Sequence, residues 1–497
     1  MLTVALRTAG GQLDPHLTAV QQDGFINMNI FDRLIYLDSD GELVPWLATS
    51  WTPNEDATMW TLTLQDGVSF HDGTPFNAEA VKFNFDRMIA PETASPISGP
   101  SLGAYRETVV IDDLTLEVYF DRPAALLPFN LTPPPMGMVS PTAVETHGEQ
   151  FSNVLIGSGP YKLESTIPRV ETVLVRNDDY NWGPASFHEG PAFVPQVRFV
   201  FINEQESRMA ALLNGEAQII DEISVADIDA LTEDPAYNVF LSPRVGINRG
   251  HTINASLSPT DDILVRKALI HAVDKEAINQ AVFRGHYPIA YQTLTRGVRF
   301  YNDAVEDVYP YDPELAVQLL EEAGWTEIND EGYRVKDGEV LSVNHATWES
   351  AVSEPPALII QSMLRDIGVK MDIEFPGNYT ATVNSGDSPY NTALLAVYSP
   401  DPGVLLYRSF HSSGMGSTNI AHYSSPEIDA LLEAGLETPD AAERTEIYAE
   451  IQQLLAEAAL NIPIYSNIAV FAVNEEVEGF MLNLHSNPVI FGARFVE

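Results

Sequence analysis

The residues that could do chemistry in this chain of 497 amino acids are its histidines, its many carboxylates and one serine set between glycines. There is no cysteine, so disulfides, thiol catalysis and Cys-based zinc sites are excluded. The 11 histidines are scattered. His16, His71 and His147 have no second histidine at metal-ligand spacing, and His411 and His422 are well separated. No His-Glu-x-x-His run, no phosphate loop ending in Gly-Lys-Ser/Thr and no Gly-x-Gly-x-x-Gly after a strand is present. Gly157-Ser158-Gly159 resembles a nucleophile elbow only superficially: the Gly-x-Ser-x-Gly spacing is missing, and Pro160 removes a backbone N–H. It reads as a turn. Among 70 acidic residues, Asp112-Asp113, Asp178-Asp179 and Asp261-Asp262 are adjacent pairs. Neighbours in a strand point apart, so these suit turns and helix caps better than paired acid/base catalysis.

What remains is a set of aromatic and polar side chains on segments rich in breakers: Trp348, Tyr379, Tyr398, Ser399, Asp401, His411 and Asn419. Aromatic walls with a few polar groups are the makings of a ligand site. Gln21, Gln22 and Asp23, after the first strand and its loop, are further ligand-binding candidates. No catalytic residue, metal ligand or cofactor is assigned.

The elements that must position these residues follow from periodicity. Leu2–Leu6 reads as a strand, followed by a loop through Gly10-Gly11-Gln12-Leu13-Asp14-Pro15. Met59 to Leu64 and Leu114 to Phe120 alternate as strands do. Asn77 caps a helix whose Val81, Phe85 and Met88 share a face. Pro133-Pro134-Pro135 predicts a rigid loop. Val197 to Ile202, Ser207 to Leu213 and Gln218 to Ile220 form a βαβ unit, hence a mixed or parallel sheet. Residues 243 to 250, Pro-Arg-Val-Gly-Ile-Asn-Arg-Gly, are a candidate crossing between lobes. Beyond them helices dominate: one with Val265, Leu269, Ala272 and Val273 on a face, and one opened by Asp274 and ended by Gly285. Another is opened by Asp312-Pro313 and ended by Gly324, and a fourth is opened by Ser425-Pro426. Ile447, Ile451, Leu454, Leu455 and Ala458 mark a long amphipathic helix, and Ile464 to Val473 a returning strand.

A net charge of −44 excludes nucleic acid and anionic lipid as partners, since both need a basic face. It reads as a solvated acidic surface. No apolar run is long enough to span a membrane. Met1 leads straight into a strand, and the expectation is that a signal peptide has been removed.

Several segments, in order along nearly the whole chain, resemble the peptide/nickel class of bacterial extracellular solute-binding proteins. They are Asp32-Arg33-Leu34-Ile35 through Pro45-Trp46-Leu47-Ala48-Thr49-Ser50-Trp51, and Trp60 through Gln65-Asp66-Gly67 and His71-Asp72-Gly73-Thr74-Pro75-Phe76. Gly157-Ser158-Gly159-Pro160-Tyr161, Val265-Arg266-Lys267-Ala268-Leu269 with Asp274-Lys275-Glu276-Ala277-Ile278, and Tyr311-Asp312-Pro313-Glu314 with Ala323-Gly324-Trp325 complete the set.

The resemblance implies an α/β, two-lobed periplasmic-binding-protein architecture with two crossing strands as hinge. Lobe I would comprise 1–30, an extra β-rich subdomain at 31–150, 151–245 and 468–497. Lobe II would comprise 246–467. A small solute would be held between closing lobes and delivered to an ABC permease in the membrane. The receptor would be a periplasmic or surface-exposed monomer with no catalytic activity. In peptide receptors of the family, a Trp-x-x-Asp run before an Asp-Pro holds the ligand's amine. Here the run is Ala396-Val397-Tyr398-Ser399-Pro400-Asp401-Pro402: the Asp-Pro stays, Tyr398 replaces Trp, and the earlier acid is absent. Peptide, opine, oligosaccharide or related compounds all stay open as ligand. Two other classes stay open too: a secreted carbohydrate-active enzyme or esterase, and a periplasmic chaperone or signalling receptor on the same fold.

Overall fold

The computed structural model describes residues 1–8, 11–306 and 308–496. Gly10 of the expected N-terminal loop lies outside them. The chain divides into two compact units, Met1–Ser242 with Ala469–Glu497, and Pro243–Ile468.

The first unit is organised by a seven-stranded mixed sheet. Its order is Tyr237–Pro243, Ile468–Asn474, Ile219–Asp221, Leu2–Leu6, Gln196–Phe201, Glu171–Arg176, Tyr161–Ile167. Leu2–Leu6 is parallel to both its neighbours and buried along its length, as a central strand of a covered parallel region should be. The helix Gln205–Leu213 carries the chain from Gln196–Phe201 to Ile219–Asp221, which is the expected βαβ crossover. Its Arg208 is buried and locks the crossover. It donates to the carbonyls of Ile202, Asn203, Asp221 and Glu222 at 2.8–3.2 Å and pairs with the Asp221 carboxylate at 3.4 Å.

A separate four-stranded antiparallel sheet, Ala48–Pro53, Met59–Leu64, Thr115–Phe120 and Tyr105–Asp112, lies within the same unit. The alternation in Met59–Leu64 turns Trp60, Leu62 and Leu64 inward. The helix Ala78–Ile89 buries Val81, Phe85 and Met88, and Asn77 caps it by accepting from the Ala80 amide.

The second unit has a five-stranded sheet ordered Lys370–Glu374, Ser342–Ala346, Thr392–Leu394, Arg249–Ile253, Asn461–Tyr465. Its helices start on side-chain caps: Asp262, Asp274, Asp312, Ser425 and Asp440 each accept from a first-turn amide. Asp262 thus serves a cap, Asp112 accepts from the Leu114 amide in a turn, and Asp178 pairs with Arg176. One member of each adjacent acidic pair is thus engaged in a cap, a turn or an ion pair.

Two sequence readings need correction, and two gain detail. Residues after the N-terminal loop form a helix, Gln21–Ile30, whose polar composition hides it because almost every residue is buried. The run expected as one strand from Ile464 to Val473 is two, Asn461–Tyr465 and Ile468–Asn474, in different sheets. The triple proline enters a 3₁₀ turn, Pro134–Met136. The helix Ala441–Glu457 buries Arg444, Tyr448 and Gln452 beside Ile451 and Leu455, so its inner face is more polar than the aliphatic spacing suggests.

Two histidines lie inside the second sheet. His251 and His345 stack at 3.7 Å and are both buried. Burial pushes His251 down to about 3 and holds His345 well below the ordinary histidine range, with His251 adding to the effect. Both are neutral in the folded unit, so folding excludes protons that the unfolded chain takes up below about pH 6.5. Stability is therefore fully present above that pH and is lost as pH falls, by roughly 1.4 kcal/mol per pH unit for each histidine. Denaturant unfolding of the second unit at pH 7, 6 and 5 should show this loss. His345→Gln, which removes one titrating group, should give a shallower dependence on pH; an equal slope would place the proton uptake elsewhere.

Candidate functional site

The second unit gathers an aromatic and cationic cluster. Its frame is the segment 243–250 running beside 396–399. Gly246 bridges to Tyr398, the Ile247 amide donates to the Val397 carbonyl at 2.9 Å, and the Arg244 amide donates to Asn467 at 2.7 Å. A Cβ on Gly246 would meet the Val397 carbonyl oxygen at 2.3 Å, so only glycine permits this approach.

That pairing sets two arginines against aromatic rings. The Arg249 guanidinium lies 5.1 Å from the ring centre of Trp348 and 5.9 Å from that of Tyr398. Arg244 also lies 5.9 Å from Tyr398. Asn467 donates to the Tyr398 hydroxyl at 3.1 Å. Trp348 follows the strand Ser342–Ala346 and packs on Tyr379 at 4.5 Å. The Tyr379 hydroxyl is spent on the Leu394 carbonyl at 2.6 Å, and burial raises its pKa. Arg249 Nη1 is buried with no hydrogen-bond partner. A guanidinium between two π faces gains from each, yet its unpaired N–H still calls for an acceptor.

Trp348, Tyr379 and Tyr398 are thus brought together, as the sequence reading grouped them. The other candidates in this unit are not. Ser399 accepts from the Asp401 amide at 3.3 Å in the turn that follows. Asp401 is 2% exposed; both its oxygens accept from Arg444 at 2.9 Å, and Oδ1 also caps the helix Pro402–Phe410. The Asp-Pro is a cap and a buried ion pair, which removes Asp401 from the ligand-binding candidates. His411 stacks on Tyr407 at 4.3 Å and meets Ser413 and Glu433. Asn419 donates to the carbonyls of His411 and Tyr423. These two tie the loop after that helix to itself, a structural duty. In the first unit, Gln22 donates to Glu222 at 3.4 Å, and the buried Asp23 accepts from Thr18 at 2.8 Å. Gln21 opens their helix.

Arg244, Arg249 and Asn467 were missed by the sequence reading. A signal existed: the segment 243–250 holds two arginines and no acidic residue, in a chain of net charge −44. Among the described residues, no group of three or more metal-ligating side chains is assembled, and no helix is long and apolar enough to cross a membrane.

Residues 42–417 match the model of bacterial extracellular solute-binding proteins, family 5 Middle. The chain belongs to this family. It is a substrate-binding receptor of the kind that serves ABC importers, working outside the cytoplasmic membrane. Its relatives include the probable D,D-dipeptide-binding periplasmic protein DdpA of Escherichia coli, 26% identical over 97% of this chain and 92% of that protein. The nickel-binding periplasmic protein of Escherichia coli is 28% identical over 95% and 90%. Among solved structures, NikA from Brucella suis in complex with Fe(III)-EDTA superposes with a TM-score of 0.89 at 25% identity, covering 100% of this chain and 99% of that one. Members of the family are binding proteins, and the fold is the two-lobed α/β architecture of the periplasmic receptors.

The Asp401–Arg444 pair yields a stability test. Asp401→Ala strands a buried guanidinium, which typically costs about 3–5 kcal/mol. The double variant Asp401→Ala with Arg444→Met should recover part of that loss, because no unpaired charge remains. Chemical denaturation of the two variants and the parent measures both effects.

Proposed function

We propose that the chain captures a small anionic solute carrying at least one carboxylate, and passes it unchanged to its permease as a monomer. The observation that carries this reading is Arg249. It is half-buried between Trp348 and Tyr398, and its Nη1–H has no acceptor in the protein. Arginine matches a carboxylate by charge and by its fixed donor geometry. The rings beside it suit a flat or apolar portion of the same ligand. An α-amine is a poorer fit here, since the carboxylate of the Tyr398 run, Asp401, is already used by Arg444.

Two of the ligands named for relatives share this chemistry. Glutathione, for the binding protein GsiB of Salmonella typhimurium, carries carboxylates, and so does the EDTA of the Brucella suis complex. A carboxylate-bearing metal chelate and an acidic peptide are both compatible with a guanidinium anchor.

Calorimetry against glutathione, Ni(II) with histidine, a dipeptide and a neutral disaccharide tests the class. A carboxylate-bearing ligand should bind one per chain, and Arg249→Gln should weaken it about 10–100-fold, the worth of a charge-assisted hydrogen bond of roughly 1.5–3 kcal/mol. Tight binding of the disaccharide, indifferent to Arg249→Gln, would overturn the reading. Mass spectrometry of the released ligand should return it chemically unaltered and show a single chain in the complex. A hydrolysed ligand would favour an enzyme.

A further inference from the structure

The first unit contains a second basic group with unfilled donors. Arg33 is 2% exposed, and among the described residues its Nε and Nη1 find no acceptor. Its guanidinium lies 4.7 Å from the ring centre of Trp46. Trp46 is buried as well, and its Nε1–H faces the Tyr180 hydroxyl without closing a well-aligned hydrogen bond. The nearest acid in sequence, Asp32, is turned to other donors: Ser158 Oγ at 3.1 Å, Trp182 Nε1 at 2.9 Å and the Tyr180 hydroxyl at 3.3 Å. Both Arg33 and Trp46 line a small cavity of about 10 Å³, completed by Met28, Asn29, Tyr180 and Phe491 among others.

The unsatisfied atoms of the cavity lining are all N–H donors. Its occupant must therefore accept hydrogen bonds. A buried water would satisfy at most two of the three and bring two hydrogens needing acceptors of their own. The volume admits one water-sized atom, which excludes phosphate, sulfate and carboxylates. A buried guanidinium whose neighbouring carboxylate, Asp32, gives it charge but no hydrogen bond is costly to fold around, and a monatomic anion that accepts from it lowers that cost.

We infer that the Arg33–Trp46 cavity is a structural site for a monatomic halide anion, chloride being the abundant one. It is separate from the Arg249 cluster and independent of what the receptor carries. The anion supplies the acceptor that Arg33 and Trp46 lack, and so completes the core where residues 28–33, 46 and 489–491 meet.

The test uses the full chain. Crystals grown in sodium bromide without chloride should show an anomalous bromide peak in the cavity, in contact with Arg33 Nε or Nη1 and Trp46 Nε1. In solution, replacing gluconate by chloride at fixed ionic strength should raise the unfolding midpoint of the first unit. Each tenfold rise in halide above its Kd should add roughly 3–5 °C. Trp46→Phe keeps the ring and removes one donor, so it should weaken the halide dependence even where Arg33→Gln fails to fold. A cavity holding only water in bromide crystals, or midpoints equal in chloride and gluconate, overturns the inference.

Discussion

The first unit depends on one buried carboxylate. Asp32 is fully buried and collects donors from residues 126, 148 and 150 positions away in sequence. A buried acceptor left unpaired carries the full cost of its desolvation, so the chain can bury Asp32 only by bringing Ser158, Tyr180 and Trp182 to it. Burial pushes the acid up to about 7, and the donors oppose that rise. The glycines around Ser158 make the meeting possible. A Cβ on Gly157 would lie 2.1 Å from the Ile30 carbonyl oxygen, and one on Gly159 would lie 2.7 Å from it. His71 closes the same junction, its Nε2 on the Gly159 carbonyl and its own amide on that of Gly157. Three of the motifs that announce the family, at Asp32, His71 and Gly157-Ser158-Gly159, thus meet in a single polar junction, and their spacing reflects packing.

The second unit uses the same device for a different end. Asp401 and Arg444 form a bidentate pair roofed by Phe300 and Tyr448, at 4.9 and 5.2 Å from the guanidinium. Gly403 and Gly435 crowd the Tyr448 hydroxyl, each leaving no room for a Cβ. This junction fixes the start of the helix Pro402–Phe410, and so the run 396–399 that carries Tyr398. The aromatic cluster is held by groups that have already spent their hydrogen bonds: Tyr379 on Leu394, and Tyr465 on the Val352 carbonyl. Arg249 keeps an unfilled donor there. A rigid frame with one unmet demand is pre-organised, and pre-organisation lowers the ordering cost of binding.

Legibility in the sequence followed the range of the forces. Local devices could be read. Asp312-Pro313 with Gly324, Asp274 with Gly285, and the alternation in Met59–Leu64 each carry their physics within a few residues, and the structure shows the elements they imply. The helix Gln21–Ile30 could not be read, because its polar residues are buried by tertiary contacts and leave no apolar stripe. The site was half legible. Trp348, Tyr379 and Tyr398 stand out as aromatics among breakers. Asp401, His411 and Asn419 look equally apt by type, and only long-range partners such as Arg444 and Glu433 show that they are engaged elsewhere. Arg249 escaped notice because a single arginine at a strand start has no local signature. Its meaning comes from Trp348, about a hundred positions on.

An acidic chain with an arginine-lined cluster raises a question of sign. At physiological salt, charges separated by more than about 8 Å are largely screened, so most of the 70 acids act on their own surroundings and on solubility. Several are already engaged, as the caps Asp262, Asp274, Asp312 and Asp440 show. The field that a solute bound there would feel is set by what lies within contact distance, and around Trp348 and Tyr398 that includes Arg244 and Arg249. The distant acids then weigh on encounter more than on the bound state. Selectivity follows from the anchoring proposed at Arg249. A solute without an acceptor leaves Arg249 Nη1 unpaired between its rings, and a site built around a hydrogen bond rejects ligands that lack it far more strongly than an apolar pocket rejects a missing methylene.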